Sequence, residues 1–325
     1  MQFSKILNYT QAIFKDGVWS DIKLVSGNNL NIPVYSSALH YGQVCFEGLK
    51  AYRNKNGKVH VFRPFENWHR INCSAQRLMM PQVPEPLFID SISKLVKSNE
   101  FLVPKYRSGG SFYLRPVLFG LEGGSAVRPT DDYCLIVMGF PANADDYYKS
   151  LRLVTSGYHR AAPAGTGHIK AAGNYASVFI AHDEAKKQGY DECIYLDPVH
   201  NQYIEEIGAA NFLAIKENTL IIPKSSSILP SITQKTIVSL ATHLLHLDYV
   251  ELKVNINEIG QFDEVAACGT AANLVPVTSI IHKGTTITYS KFHTTFLELK
   301  EHLTQLQYGD LDEHPYFQEF NYRLS

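Results

Sequence analysis

The sequence predicts an α+β protein of two domains. Three observations carry that expectation. At 325 residues the chain is longer than one ordinary core holds. Strand-like and helix-like stretches are mixed without a regular βαβ alternation, which argues against a doubly wound sheet. A polar, turn-prone stretch, Pro141-Ala142-Asn143-Ala144-Asp145-Asp146, divides the two halves. The expected layout is a smaller N-terminal domain over residues 1–141, a linker over 142–153 and a larger C-terminal domain over 154–325.

The elements follow in order. Trp19 to Val25 and Lys58 to Phe62 read as strands beside the turn signals Gly27-Asn28-Asn29 and Asn54-Lys55-Asn56-Gly57. Pro64 opens a helix in which Trp68, Ile71, Ala75, Leu78 and Met79 recur at helical spacing, and Pro81 stops it. Asp90 is placed to cap a second helix carrying Leu95, Val96 and Leu102. Ser111 to Phe119 and Tyr133 to Phe140 are apolar strands. Beyond the linker, Ala161 to Gly173 is a loop rich in Gly and Ala, and Asn174 is placed to cap a helix presenting Tyr175, Val178, Phe179 and His182. Short strands follow at Glu192 to Leu196, Tyr203 to Ile207, Asn211 to Lys216 and Thr219 to Ile222. Ser231 caps a helix reaching Leu247, and a last helix runs from Ser290 to Gln307 before Gly309.

Composition removes several classes of function. Thirty basic residues stand against 31 acidic ones, so no nucleic-acid surface or polybasic membrane patch is implied. Cys45, Cys73, Cys134, Cys193 and Cys268 are scattered and form no C-x-x-C pair. A disulfide framework and a metal site are both unexpected, and a reducing cytoplasm is the natural compartment. The first residues lack the apolar stretch of a signal peptide, and the longest apolar run, Tyr133 to Phe140, is too short to span a bilayer.

The chemistry-bearing residues begin with Lys170 in Gly165-Thr166-Gly167-His168-Ile169-Lys170-Ala171-Ala172-Gly173. The stretch is neither a P-loop nor a dinucleotide fingerprint. It offers one lysine amid small residues, and burial beside a cation turns such an amine into an imine-forming nucleophile. Taken alone, a lone lysine is more often a solvated surface charge. Leu229-Pro230-Ser231-Ile232-Thr233 opens a helix, where free N–H groups and the dipole favour a phosphate; the plain alternative is an ordinary cap. Cys268-Gly269-Thr270-Ala271-Ala272 is a small-residue turn that can present N–H groups to an anion, or simply a turn. Arg70 can clamp a phosphate or snorkel to water. Of the adjacent Glu205 and Glu206, strand alternation lets at most one face a cofactor ring.

Taken in order, these pieces resemble the branched-chain aminotransferases of the fold-type IV pyridoxal-phosphate enzymes. The matching stretches are Ala38-Leu39-His40-Tyr41-Gly42-Gln43-Val44-Cys45-Phe46-Glu47-Gly48-Leu49-Lys50-Ala51-Tyr52-Arg53, Phe62-Arg63-Pro64 with Arg70, Phe112-Tyr113-Leu114-Arg115-Pro116, Lys170-Ala171-Ala172-Gly173-Asn174-Tyr175, Glu206-Ile207-Gly208-Ala209-Ala210-Asn211, Ile228-Leu229-Pro230-Ser231-Ile232-Thr233 and Gly269-Thr270-Ala271-Ala272. The resemblance implies a small N-terminal α/β domain and a larger C-terminal one with the active site between them. It implies that Lys170 holds pyridoxal 5'-phosphate as a Schiff base and shuttles the substrate proton. Glu206 would bond the pyridine nitrogen and Tyr175 the phenolic oxygen. Arg70, Ile232, Thr233 and Thr270 would hold the phosphate. Tyr41, Phe46, Tyr113 and Arg115 would line the substrate side, with Ala271 and Ala272 offering N–H groups to the substrate carboxylate. The implied reaction moves the amino group of leucine, isoleucine or valine reversibly to 2-oxoglutarate in a cytoplasmic homodimer.

The chain departs from the family in two places. Ala209 stands where many relatives carry Thr, and Ala272 and Val275 stand where some animal members carry a redox pair of cysteines. Two other readings stay open. A D-amino-acid aminotransferase or aminodeoxychorismate lyase would share Lys170 and Glu206 but not the stretch around Arg115. A catalytically silent cofactor-binding protein would not need Lys170, Glu206 and Arg70 intact.

Overall fold

The computed structural model describes residues 6–123, 126–143, 149–289 and 293–324. The chain forms two compact units. One comprises Met1–Asp146, Ile169–Gly173 and Leu306–Ser325; the other comprises Tyr147–His168 and Asn174–Gln305. This division is not contiguous in sequence. Two segments expected in the C-terminal half cluster with the first unit instead, and backbone hydrogen bonds explain the first of them. Phe46 N–H donates to Lys170 O (3.1 Å) and Ala172 N–H to Val44 O (3.0 Å), with Cys45 and Ala171 forming an antiparallel bridge. The expected linker begins inside a strand, since Ala142 and Asn143 are strand residues, and 144–148 lie outside the described residues.

In the first unit the elements are β1 (Asn8–Lys15), β2 (Val18–Trp19), β3 (Lys23–Ser26), α1 (Ser37–Tyr41), β4 (Val44–Phe46), β5 (Leu49–Arg53), β6 (Val59–Phe62), α2 (Pro64–Arg77), α3 (Glu85–Ser98), β7 (Gly110–Gly120) and β8 (Tyr133–Asn143). A C-terminal strand, β18 (Asn321–Arg323), joins them. Among the described residues they make a nine-stranded sheet ordered β18-β6-β5-β7-β8-β1-β2, with β3 on β1 and β4 on β7. Strand alternation gives the sheet two different faces. Ala51, Val61, Phe112, Leu114, Leu118 and Val137 pack into a core with Ile71 and Ala75 of α2 and with Phe88, Ile92 and Leu95 of α3. The intervening residues Lys50, Tyr113 and Arg115 leave from the other face, where Tyr113 packs with Phe140 and Ala142.

In the second unit β9 (Leu151–Thr155) is followed by α4 (Gly173–Ala176), α5 (Phe179–Lys187), β10 (Glu192–Leu196), β11 (Ile204–Ile207), β12 (Ala210–Lys216), β13 (Thr219–Pro223), α6 (Ile232–His243), β14 (Asp248–Leu252), β15 (Glu264–Gly269), β16 (Asn273–His282), β17 (Thr285–Thr288) and α7 (Thr294–Gln307). The sheet order is β11-β10-β9-β16-β15-β12-β13-β14, and β11 also pairs with β12. That extra pairing closes six strands into a ring around Leu153, Ile194, Ile207, Phe212, Ala214, Val265, Val275 and Val277. Closure buries the inward face of its strands.

Several sequence expectations need correction. The helix assigned to an Asp90 cap starts at Glu85, and Asp90 lies inside it. Pro84 and Pro86 flank the first helical residue with the φ that a helix start requires, so the start falls earlier. Asn174 lies inside the short α4 and not ahead of it, and its side chain exchanges two 2.7 Å hydrogen bonds with Thr166. The Trp19 to Val25 strand is two strands, β2 and β3, each paired with β1. Ser231 does cap α6, accepting from Gln234 N–H at 3.2 Å, but the helix ends at His243 and not at Leu247. The described part of α7 begins at Thr294, and residues 290–292 of the expected helix lie outside the described residues. Among the described residues no helix is long and apolar enough to cross a membrane.

Candidate active site

The first unit gathers four of the expected residues, Phe46, Arg70, Tyr113 and Arg115, around Lys170. The lysine is held by its backbone: its N–H donates to Ser74 Oγ of α2 (3.0 Å) and its C=O accepts from Phe46. Its amine lies 4.9 Å from the centre of the Phe46 ring, and the Arg115 guanidinium lies 4.7 Å from the same ring. Arg115 Nη2 donates to Tyr113 Oη (3.1 Å), while its Nε is buried with no partner among the described residues. Tyr113 stacks on Phe140 with ring centres 5.3 Å apart. Burial, and next the Arg70 cation, push the Lys170 amine down to about 8, so a sizeable neutral fraction exists near neutral pH.

Arg70 is bound to a partner the sequence reading assigned no role. Its Nε donates to Glu47 Oε1 (2.8 Å) and its Nη2 to Glu47 Oε2 (2.7 Å), a bidentate pair with a carboxylate that has no solvent exposure. Asn67 Nδ2 adds a third bond to Glu47 Oε2 at 2.7 Å. Glu47, Gly48 and Lys50 all lie in the matched stretch from Ala38 to Arg53. The available signal was a carboxylate and an amine set among apolar residues, which only a paired or functional site explains. Lys50 is buried, and burial pushes its amine down to about 7. Tyr41 ends α1, is 39% exposed, and has its ring 6.1 Å from that of His40.

The second unit centres on Glu206. The Glu-x-Gly-x-x-Asn spacing has a geometric cause. Glu206 and Asn211 are cross-strand partners in the β11–β12 hairpin, and Gly208 turns the chain at φ +52° where a side chain would collide with Glu192. Both ends of the motif grip one residue: Leu229 N–H donates to Glu206 Oε1 (2.8 Å), and Asn211 Nδ2 donates to Leu229 O (3.1 Å). This fixes the turn that leads into Ser231 and the start of α6, where Ile232 and Thr233 are buried. The first turn of that helix leaves N–H groups with no intrahelical partner.

Arg160, which the sequence reading missed, pairs with Glu206 Oε1 at 3.2 Å and also donates to the carbonyls of Gly167 and Ser227. Glu205 and Glu206 are both buried, although strand alternation points them to opposite faces of β11. They are not equivalent. Glu205 accepts from Ser225 Oγ (2.8 Å), and burial raises its carboxyl above the usual range. Tyr175 is half-buried on α4, and Thr270, Ala271 and Ala272 form the exposed to half-buried turn between β15 and β16.

The profile of the Amino-transferase class IV family matches residues 44–280. The chain belongs to that family. Within it, the chain is 43% identical over 306 residues to a branched-chain-amino-acid aminotransferase of Helicobacter pylori, spanning 92% of this chain and 89% of that protein. It is 42% identical over 320 residues to the enzyme of the same description from Haemophilus influenzae, spanning 93% and 91%. The crystal structure of the Escherichia coli branched-chain amino acid aminotransferase superposes with a TM-score of 0.80 at 27% identity, covering 97% of this chain and all 100% of that one.

Proposed function

We propose that this chain is a pyridoxal-phosphate-dependent branched-chain-amino-acid aminotransferase. It moves the amino group of L-leucine, L-isoleucine or L-valine reversibly to 2-oxoglutarate. The observation that carries the reading is the Lys170 amine, seated against Phe46 beside Arg70 and Arg115 and held near 8, in a chain of this family.

The residues fit the cofactor. Lys170 supplies an amine that is partly neutral at working pH, as bond formation to an aldehyde requires. Glu206 supplies a buried carboxylate for a ring nitrogen, and Tyr175 a hydroxyl for the ring oxygen. Thr233 and Ile232 at the start of α6, with Arg70 and Thr270, supply N–H, hydroxyl and guanidinium donors for a phosphate. When bound, pyridoxal phosphate supplies the aldehyde and a ring that withdraws electrons from the substrate Cα. Lys170 Nζ takes the proton from that carbon and returns it. Phe46, Tyr113 and Tyr41 form apolar or amphipathic walls for a branched side chain. Arg115, with a buried Nε lacking a partner among the described residues, suits the second carboxylate of glutamate. Ala271 and Ala272 offer backbone N–H groups to the α-carboxylate.

The reading includes a homodimer working in the cytoplasm, a compartment that suits five scattered cysteines with no C-x-x-C pair. The test is a panel of amino donors against 2-oxoglutarate, run beside Lys170→Ala. Leucine, isoleucine and valine should lead the panel. Lys170→Ala should show no yellow, borohydride-bleachable colour with pyridoxal phosphate and almost no turnover. Preference for D-alanine, or normal turnover in Lys170→Ala, would overturn the reading.

A further inference from the structure

We infer that Glu47 is a positioning residue for Lys170: its buried carboxylate fixes the Arg70 guanidinium, and its charge offsets the cations grouped around the lysine amine. The inference rests on the reading of Lys170 as the reactive amine. Glu47 has no solvent exposure and accepts from Arg70 Nε and Nη2, from Asn67 Nδ2 and from Gly48 N–H (3.3 Å). A carboxylate in such a place persists only when its charge is matched. Its partner is tied in turn to the lysine segment. Ser74 Oγ donates to Arg70 O (3.1 Å) and accepts from the Lys170 N–H (3.0 Å).

Among the described residues of the first unit, the charged and titratable groups that act most on the Lys170 amine come from three places. Arg70 lies on α2, Glu47 at the β4–β5 junction, and Tyr113 and Arg115 on β7. Glu47 is the one carboxylate of this set. Arg70 and Arg115 push protons off the lysine, and Glu47 pulls the other way. A role limited to packing would need hydrogen-bond acceptors at this position but no charge.

The experiment uses the full-length chain prepared free of cofactor. Pyridoxal, which has no phosphate for Arg70 to bind, is trapped on Lys170 with borohydride from about pH 6 to about pH 10. The labelled peptide is quantified by mass spectrometry, and the native midpoint should lie at about 8. In Glu47→Gln the midpoint should fall by at least about half a pH unit, raising labelling at neutral pH roughly threefold. In Arg70→Gln it should rise. Mere loosening admits water and would raise the midpoint in both variants, so the opposite signs separate the two explanations. Should Glu47→Gln fail to fold, the double variant Glu47→Gln/Arg70→Gln, which leaves neither charge of the pair alone, should titrate below Arg70→Gln. A Glu47→Gln midpoint at or above the native one, or a double variant equal to Arg70→Gln, overturns the inference while leaving the functional reading intact. A native chain that traps no pyridoxal at Lys170 sinks both.

Discussion

Gly48 lies against the phenol of Tyr113, so closely that a methyl group on Gly48 would overlap the Tyr113 hydroxyl. Glycine is therefore required by close approach and not by backbone conformation. Gly48→Ala should push Tyr113 off its stack on Phe140 and break its hydrogen bond from Arg115. Overpacking of this kind costs about 1–3 kcal/mol. That cost should appear as a lower Tm, and the displaced Tyr113 should separately lower kcat/KM for leucine. Native kinetics in Gly48→Ala would show that the Tyr113 position is unimportant.

Glu205 and Glu206 should respond very unequally to the same change. Glu206→Gln loses the ion pair with Arg160 and the charge proposed to serve the ring nitrogen, so transamination should slow by two powers of ten or more, about 3 kcal/mol. Glu205→Gln should be mild, because burial already favours the neutral carboxyl and the amide oxygen can still accept from Ser225. Its pH signature has a definite sign. A carboxyl whose folded value is raised binds more protons folded than unfolded, so its contribution to stability falls as pH rises from the ordinary value through the folded one. Glu205→Gln should flatten that part of the stability profile, measured by urea unfolding. The reverse ranking in activity would show that Glu205 is the ring partner.

Lys50 makes a pH-dependent contribution of the other sign. Its folded value of about 7 lies well below the ordinary 10.5, so the unfolded chain binds more protons between those values. Stability should then rise with pH across that window, with a slope approaching about 1.4 kcal/mol per pH unit. Lys50→Met should be more stable than the native chain at pH 7 and should lose this slope, in denaturant titrations at several pH values. An unchanged slope would show that Lys50 stays charged in the fold.

Arg115 should separate the two half-reactions. If it reads the distal carboxylate of glutamate, Arg115→Gln should weaken the use of glutamate and 2-oxoglutarate by about 1.5–3 kcal/mol, one to two powers of ten. The reaction with leucine should change far less. Rapid-mixing measurement of each half-reaction alone gives the answer, and equal losses would remove Arg115 from substrate discrimination.

The sequence made Glu206 legible because its spacing encodes a local hairpin, with Gly208 at the turn and Asn211 opposite. Lys170, Phe46, Tyr113 and Arg115 were legible through resemblance, and the structure brings them together in one unit. The role of Glu47 was hidden because its partner Arg70 is 23 residues away on another element. Arg160 was harder still, since it binds two backbone carbonyls, which leave no side-chain pattern to read. Strand β1, Asn-Tyr-Thr-Gln-Ala-Ile-Phe-Lys, escaped notice because its burial does not alternate cleanly. The capping signal at Asp90 was real chemistry, overridden by the two prolines flanking Glu85.

The discontinuous make-up of the first unit bears on how the chain emerges from a ribosome. Asn321 to Arg323 of β18 pair with His60 to Phe62 of β6, and the bridge from Cys45 to Ala171 waits for a segment made far downstream. Until residues 321–323 are made, a nascent chain holds an N-terminal sheet with a bare β6 edge, and until residues 169–173 are made it has no lysine in place. Such an edge recruits other strands. Long-range pairing of this kind also slows folding. Chains stalled or clipped before Leu306 should therefore be substrates for chaperones and proteases, not partly active enzymes. Quality control of synthesis thus reaches the lysine: it takes its place only after the segment that bridges to Cys45 has followed the N-terminal strands.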